Sequence, residues 1–118
     1  MEKKDIEDRT FNFAVRIVKL CQYLDDLPGV SRTLSRQLLR SGTSIGANVQ
    51  EAQAGQSKAD FISKNFIALK EARETLYWLK LLAATEIVPD SRLLPLSSEA
   101  EELTRILGSI IVKTKANK

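Results

Sequence analysis

An all-α chain, folded as an up-down-up-down antiparallel four-helix bundle, is what this 118-residue sequence predicts, and three observations predict it. Its long segments carry apolar residues at helical period, with no alternating apolar-polar run of the kind that marks a strand. Only five glycines and three prolines punctuate it. The four amphipathic segments so marked off are joined by short connections, which makes consecutive helices antiparallel neighbours. The length suits one domain, residues 1–118, and 43% hydrophobic with 28% charged residues suits a folded globular chain.

The first helix is expected over about 8–24. Phe11, Ala14, Val18 and Cys21 make one apolar stripe there, and Phe13, Ile17, Leu20 and Leu24 make a second beside it. Two stripes imply two contacts. The turn Asp25-Asp26-Leu27-Pro28-Gly29 ends that helix, and Ser31 is placed to cap the next, over 31–54, whose apolar line is Leu34, Leu38, Ile45, Val49 and Ala52. Ser57-Lys58-Ala59-Asp60 has capping-box logic and opens the longest segment, 58–85. Its apolar lines are Ile62, Phe66, Leu69, Leu76 and Phe61, Ala68, Ala72, Leu79, Leu82. Between Pro89 and Pro95 the chain is expected to turn, and Ser98 with Glu101 forms a capping box for a fourth helix over 98–113, lined by Leu103, Ile106, Leu107, Ile110 and Ile111.

Composition excludes most familiar chemistry. The chain has no histidine, so the commonest general base, metal ligand and triad partner are all missing. Di-iron bundles need Glu-x-x-His on two helices, so Glu51, Glu71, Glu74, Glu101 and Glu102 predict neither a metal site nor an enzyme, and no cofactor is expected. The single cysteine, Cys21, sits on an apolar stripe with nothing to activate it and reads as an inert core thiol. Tyr77 and Trp78 read as core or interface anchors with polar tips at the rim. No apolar run is long enough for a membrane span and no apolar signal segment follows the N-terminus, so a cytoplasmic protein with no membrane contact is expected.

Two constellations stand out. Within the second helix, Gly42 and Gly46 lie four apart on one face, where a missing side chain admits another backbone, and Ser44 and Asn48 lie four apart on a neighbouring face, able to bond across a contact. This admits two readings, a subunit or partner seam and close packing inside one chain. The net charge is +3, and residues 30–58, with four positive charges against one negative, hold a surplus of the same size. Arg32, Arg36 and Arg40 recur every fourth residue there and form a ladder with steps of about 6 Å, close to the phosphate repeat of a nucleic-acid strand. A solvated face, or pairing with Glu71 and Glu74 of another helix, accounts for the same ladder. No aromatic residue interleaves with these arginines.

The run from Gln37 to Ala52, centred on Ser41-Gly42-Thr43-Ser44-Ile45-Gly46-Ala47-Asn48, then Ser57-Lys58-Ala59-Asp60-Phe61-Ile62, then Ile67 to Leu79 with Glu71-Ala72-Arg73-Glu74 and Leu76-Tyr77-Trp78, closely resembles the small bundle proteins encoded in intervening sequences of bacterial 23S ribosomal RNA genes. The likeness runs from about Phe11 to Ile111. It implies a ring-like homopentamer of four-helix bundles without enzymatic activity. That family is similar to the accessory variability protein of diversity-generating retroelements, a basic pentamer that works with a reverse transcriptase, so RNA or DNA and a reverse-transcriptase-like protein are implied as partners.

The resulting expectation is a non-enzymatic oligomer that binds nucleic acid weakly and without sequence preference through Arg32, Arg36 and Arg40, helped by Lys113 and Lys115 of the C-terminal tail. Gly42, Ser44, Gly46, Asn48, Phe13 and Ile17 are expected at oligomer or helix contacts. The alternative is a protein scaffold or self-assembling module that binds no nucleic acid.

Overall fold

The computed structural model describes residues 3–117, with side chains from Asp5 onward. It contains α1 (Lys3–Asp25), α2 (Val30–Gln53), α3 (Lys58–Ala84) and α4 (Asp90–Ala116), and no strand among the described residues. The four helices form an antiparallel bundle 51 Å long and about 20 Å across. Contact runs α1 to α2, α2 to α3 and α3 to α4, and α4 closes more lightly on α1. No described helix is long and apolar enough to cross a membrane.

The core is a single column. Ile6, Phe13, Ile17, Leu20, Cys21 and Leu24 enter it from α1, and Leu38, Ile45 and Val49 from α2. From α3 come Ala68, Leu69, Ala72, Leu79 and Leu82, and from α4 Leu93, Leu96, Ala100, Leu103, Leu107 and Ile111. Of the two stripes on α1, the one with Phe13 and Ile17 is fully buried, whereas Phe11, Val15 and Val18 lie open. Phe13 and Ile17 therefore contact helices of their own chain, the helix-contact alternative of the expectation for them. Of the other stripe, Phe11 and Val18 lie outside, Ala14 is half-buried and Cys21 belongs to the core.

Three helix starts differ from the expected ones. α1 is already helical at Lys3, the first described residue, ahead of the expected start near residue 8, and its apolar pattern reaches back to Ile6, which is buried. Ser31 does not cap α2: it sits buried inside the first turn, and the N-cap is Gly29, whose φ of 71° belongs to the left-handed region that glycine enters without a Cβ penalty. α4 begins at Asp90, so Ser98 and Glu101 lie inside it and form no cap. Pro95 lies inside that continuous helix, where it removes a backbone donor at a cost of about 3 kcal/mol. Burying Leu93 and Leu96 returns about 1.5–3 kcal/mol each, which offsets the proline. The cap of α3 forms as expected, with Asp60 N donating to Ser57 Oγ at 3.1 Å.

Candidate functional site

Gly42 and Gly46 serve the α1–α2 contact within the chain. A Cβ on Gly42 would stand 2.8 Å from Ile17 Cγ2, and one on Gly46 would stand 3.2 Å from the Thr10 carbonyl oxygen. Of the two readings of the glycine pair, close packing inside one chain accounts for both positions. Ser44 and Asn48 bond along their own helix rather than across a contact. Ser44 Oγ donates to the Arg40 carbonyl at 2.7 Å and Asn48 Nδ2 to the Ser44 carbonyl at 2.9 Å.

The arginine ladder is largely committed elsewhere. Arg40 pairs with Glu71, at 3.3 Å, and with Glu74, and also donates to Gln37 Oε1. Glu74 is held in turn by Trp78, whose Nε1 donates to its carboxylate at 2.9 Å. Arg32 Nε donates to the Asp25 carbonyl at 3.2 Å, over the α1–α2 turn. Only Arg36 of the three is exposed with no ion pair or hydrogen bond among the described residues. Lys113 and Lys115 are exposed on the last turn of α4, where cations complement the helix dipole. That turn lies beside the start of α3, since Lys58 Nζ donates to the Asn117 carbonyl. Arg36 belongs to the opposite half of the bundle, about 25 Å away at 1.5 Å per residue, so the lysines and the ladder do not form one patch.

One row went unseen in the sequence. Phe66, Lys70, Arg73, Tyr77 and Lys80 follow one another at steps of four, three, four and three along the outside of α3, and all are exposed. The spacing rule that singles out the arginine ladder would have found them, had it been applied to cations and aromatics together. Tyr77 packs edge-on against Trp78 with ring centroids 5.1 Å apart. Arg40 meets Glu74 across the α2–α3 contact, so Arg36, one turn earlier on the same face, lies level with Tyr77 and Lys80. On its α4 side the row borders a groove of about 580 Å³ that Asp90 and Glu101 also line.

No group of three or more cysteine, aspartate or glutamate side chains that could hold a metal ion occurs among the described residues. Cys21 is buried. Its Sγ donates to the Ser35 carbonyl at 3.4 Å while Ser35 Oγ donates to the Cys21 carbonyl at 3.3 Å, so the pair ties α1 to α2. Burial pushes the thiol pKa up, with the Ser35 contact acting in the opposite direction, which keeps the sulfur protonated and unreactive.

Comparison with known proteins agrees with this build. A crystal structure at 1.70 Å resolution of a protein with unknown function from the S23 ribosomal protein family of Bacteroides thetaiotaomicron VPI-5482 superposes with a TM-score of 0.84 at 47% identity, over 90% of this chain and 97% of that one. No curated protein matches the chain. The sequence signature described as 23S rRNA-intervening sequence protein matches residues 2–109, nearly the whole bundle, and the chain belongs to that family.

Proposed function

We propose that this protein is a non-catalytic, self-assembling helical module whose subunits meet through the outer face of α1. The observation that carries this reading is the open row Phe11, Val15 and Val18, at 67%, 37% and 38% exposure and helical spacing, on a helix whose other stripe already fills the core. A bundle helix needs one apolar face, and a second one left in water is the mark of an interaction surface. Beside it, Phe11 and Ala14 border a groove of about 530 Å³ with Thr43, Gly46 and Ala47 of α2, which extends the same outer surface. The family resemblance supports a ring of five.

Light scattering at micromolar concentration is expected to give about five times the 13.2 kDa chain mass. The Phe11→Glu/Val15→Glu variant is expected to run as a folded single chain. A wild-type mass near that of one chain ends the proposal.

A second reading, weak nucleic-acid binding by the assembled particle, is favoured by the α3 row, where Lys70, Arg73 and Lys80 stand among the rings of Phe66 and Tyr77 at the level of Arg36. Such a surface can follow a single strand by phosphate contact and base stacking. In this reading Arg36, Lys70, Arg73 and Lys80 replace the ladder, and Lys113 and Lys115 form a separate site. Binding of single-stranded RNA is expected to weaken as salt rises, and Arg36→Ala/Lys80→Ala is expected to lower both the affinity and the salt slope. Absence of binding at low salt, or equal binding by the variant, leaves assembly as the sole reading. A reverse-transcriptase-like partner rests on the resemblance, and a pull-down between the two purified proteins tests it.

A further inference from the structure

We propose that the notch between α1 and α4, built from Arg16, Lys19 and Arg92, binds a phosphate-type oxyanion. Residues 16, 19 and 20 share one face of α1, and residues 92, 95 and 96 share one face of α4, at the same i, i+3, i+4 spacing. The two triplets line a depression of about 280 Å³ whose floor is Leu20, Pro95 and Leu96 and whose polar groups are three cations, with no carboxylate in its lining. It is small against the roughly 300–1,000 Å³ of sites that take drug-sized molecules, and suits a compact charged group.

The charges are not spent elsewhere. Arg16 and Lys19 make no ion pair or hydrogen bond among the described residues. Glu99, the acid one turn along α4 from Pro95, gives both carboxylate oxygens to Arg9, at 2.7 and 3.1 Å. Asp90 lines the groove on the opposite side of α4, against Arg73 and Lys80. Arg92 is positioned rather than paired: its guanidinium stands 4.5 Å from the centre of the Tyr23 ring. A guanidinium over a ring face keeps its N–H donors at its edge, free to grip an oxyanion by two parallel bonds.

The location adds to the charge. Arg92 is in the first turn of α4, where its backbone N–H donates to the Pro89 carbonyl and the helix dipole presents its positive end. Arg16 and Lys19 are like charges three residues apart. Both placements are unfavourable in the empty notch and become favourable when an anion occupies it. Phosphate fits this donor set better than carboxylate, because its charge and oxygens are shared among three cations at once. The site stands apart from the α1 outer row and the α3 row, so it holds or falls independently of assembly and of strand binding.

The test is a titration of the full chain with pyrophosphate in low-salt, phosphate-free buffer, followed by backbone amide chemical shifts. Saturable shifts confined to residues near 16–20 and 90–96 are expected. Arg16→Gln/Lys19→Gln removes no internal partner, so it is expected to fold normally and to weaken binding about tenfold or more. Arg92→Gln is expected to do the same from the α4 side. Lys64→Gln/Arg105→Gln, which removes the same charge from cations that pair with Glu51 and Glu102 elsewhere on the surface, is expected to leave binding unchanged. No shifts at low salt overturn the proposal, and so does equal weakening by this control variant, which would reduce the effect to a diffuse positive field. ADP distinguishes two sources of the same chemistry. Binding no tighter than pyrophosphate assigns the notch to free phosphates, and tighter binding assigns it to nucleotides whose base covers the Leu20–Pro95 floor.

Discussion

Phe13→Ala is expected to cost about 3–5 kcal/mol of folding stability, read from the urea midpoint of unfolding at constant slope. Phe13 is 1% exposed and heads the large side chains fully enclosed by the bundle. Truncation removes the ring's transfer energy and leaves a cavity that long, rigid helices are slow to collapse around. Against a typical total of about 5–15 kcal/mol, that loss is a large share of the stability. The outcome also separates core from interface. If Phe13 were a seam residue, the substitution would lower the assembly mass while each chain kept its own stability, and that result would contradict its place in the core.

Gly42→Leu is the second large effect, at about 3 kcal/mol lost. A Cβ at this position would stand 2.8 and 2.9 Å from Cγ2 and Cγ1 of Ile17, below any ordinary contact. Ile17 is branched at Cβ and completely buried, so it has no free rotamer to move into. Helix propensity works the other way, since removing a mid-helix glycine returns roughly 0.5–1 kcal/mol, and the clash outweighs it. A suppressor makes the assignment specific. Ile17→Ala alone is expected to cost about 2–5 kcal/mol. Combined with Gly42→Ala it is expected to cost less than the sum, because the new methyl group occupies part of the space that Ile17 vacates. Strict additivity in thermal or urea unfolding would show that the two residues do not touch.

The number of helices, their antiparallel order and most of the core were legible in the sequence, because apolar period is a local property and each stripe is long. Ser57 was legible as a cap for the same reason: the hydroxyl and the amide it accepts from are three residues apart. Ends were less legible. The start of α4 was misplaced by Pro95, a strong local signal that is overruled by the burial of Leu93 and Leu96 against residues distant in the chain. Gly29 outcompeted Ser31 as the cap of α2 because the connection from α1 requires a left-handed residue there.

By itself, the sequence determined an all-helical chain with two apolar faces on its first helix, an unreactive cysteine and no histidine-dependent chemistry. Which of those two faces lies inside was decided only by tertiary structure, since both have the same period and the choice depends on what α2 and α4 present to them. Likewise the glycines at 42 and 46 announced a close approach without naming the partner, and folding assigned it to Ile17 and Thr10 of the same chain. The arginine ladder is the clearest case. Its spacing is a fact of one helix, but its availability depends on Glu71 and Glu74 standing opposite Arg40, whereas Arg16, Lys19 and Arg92 meet no acid in their notch. Charge is written residue by residue, whereas its neutralisation depends on distance across helices, and that distance exists only once the bundle has closed.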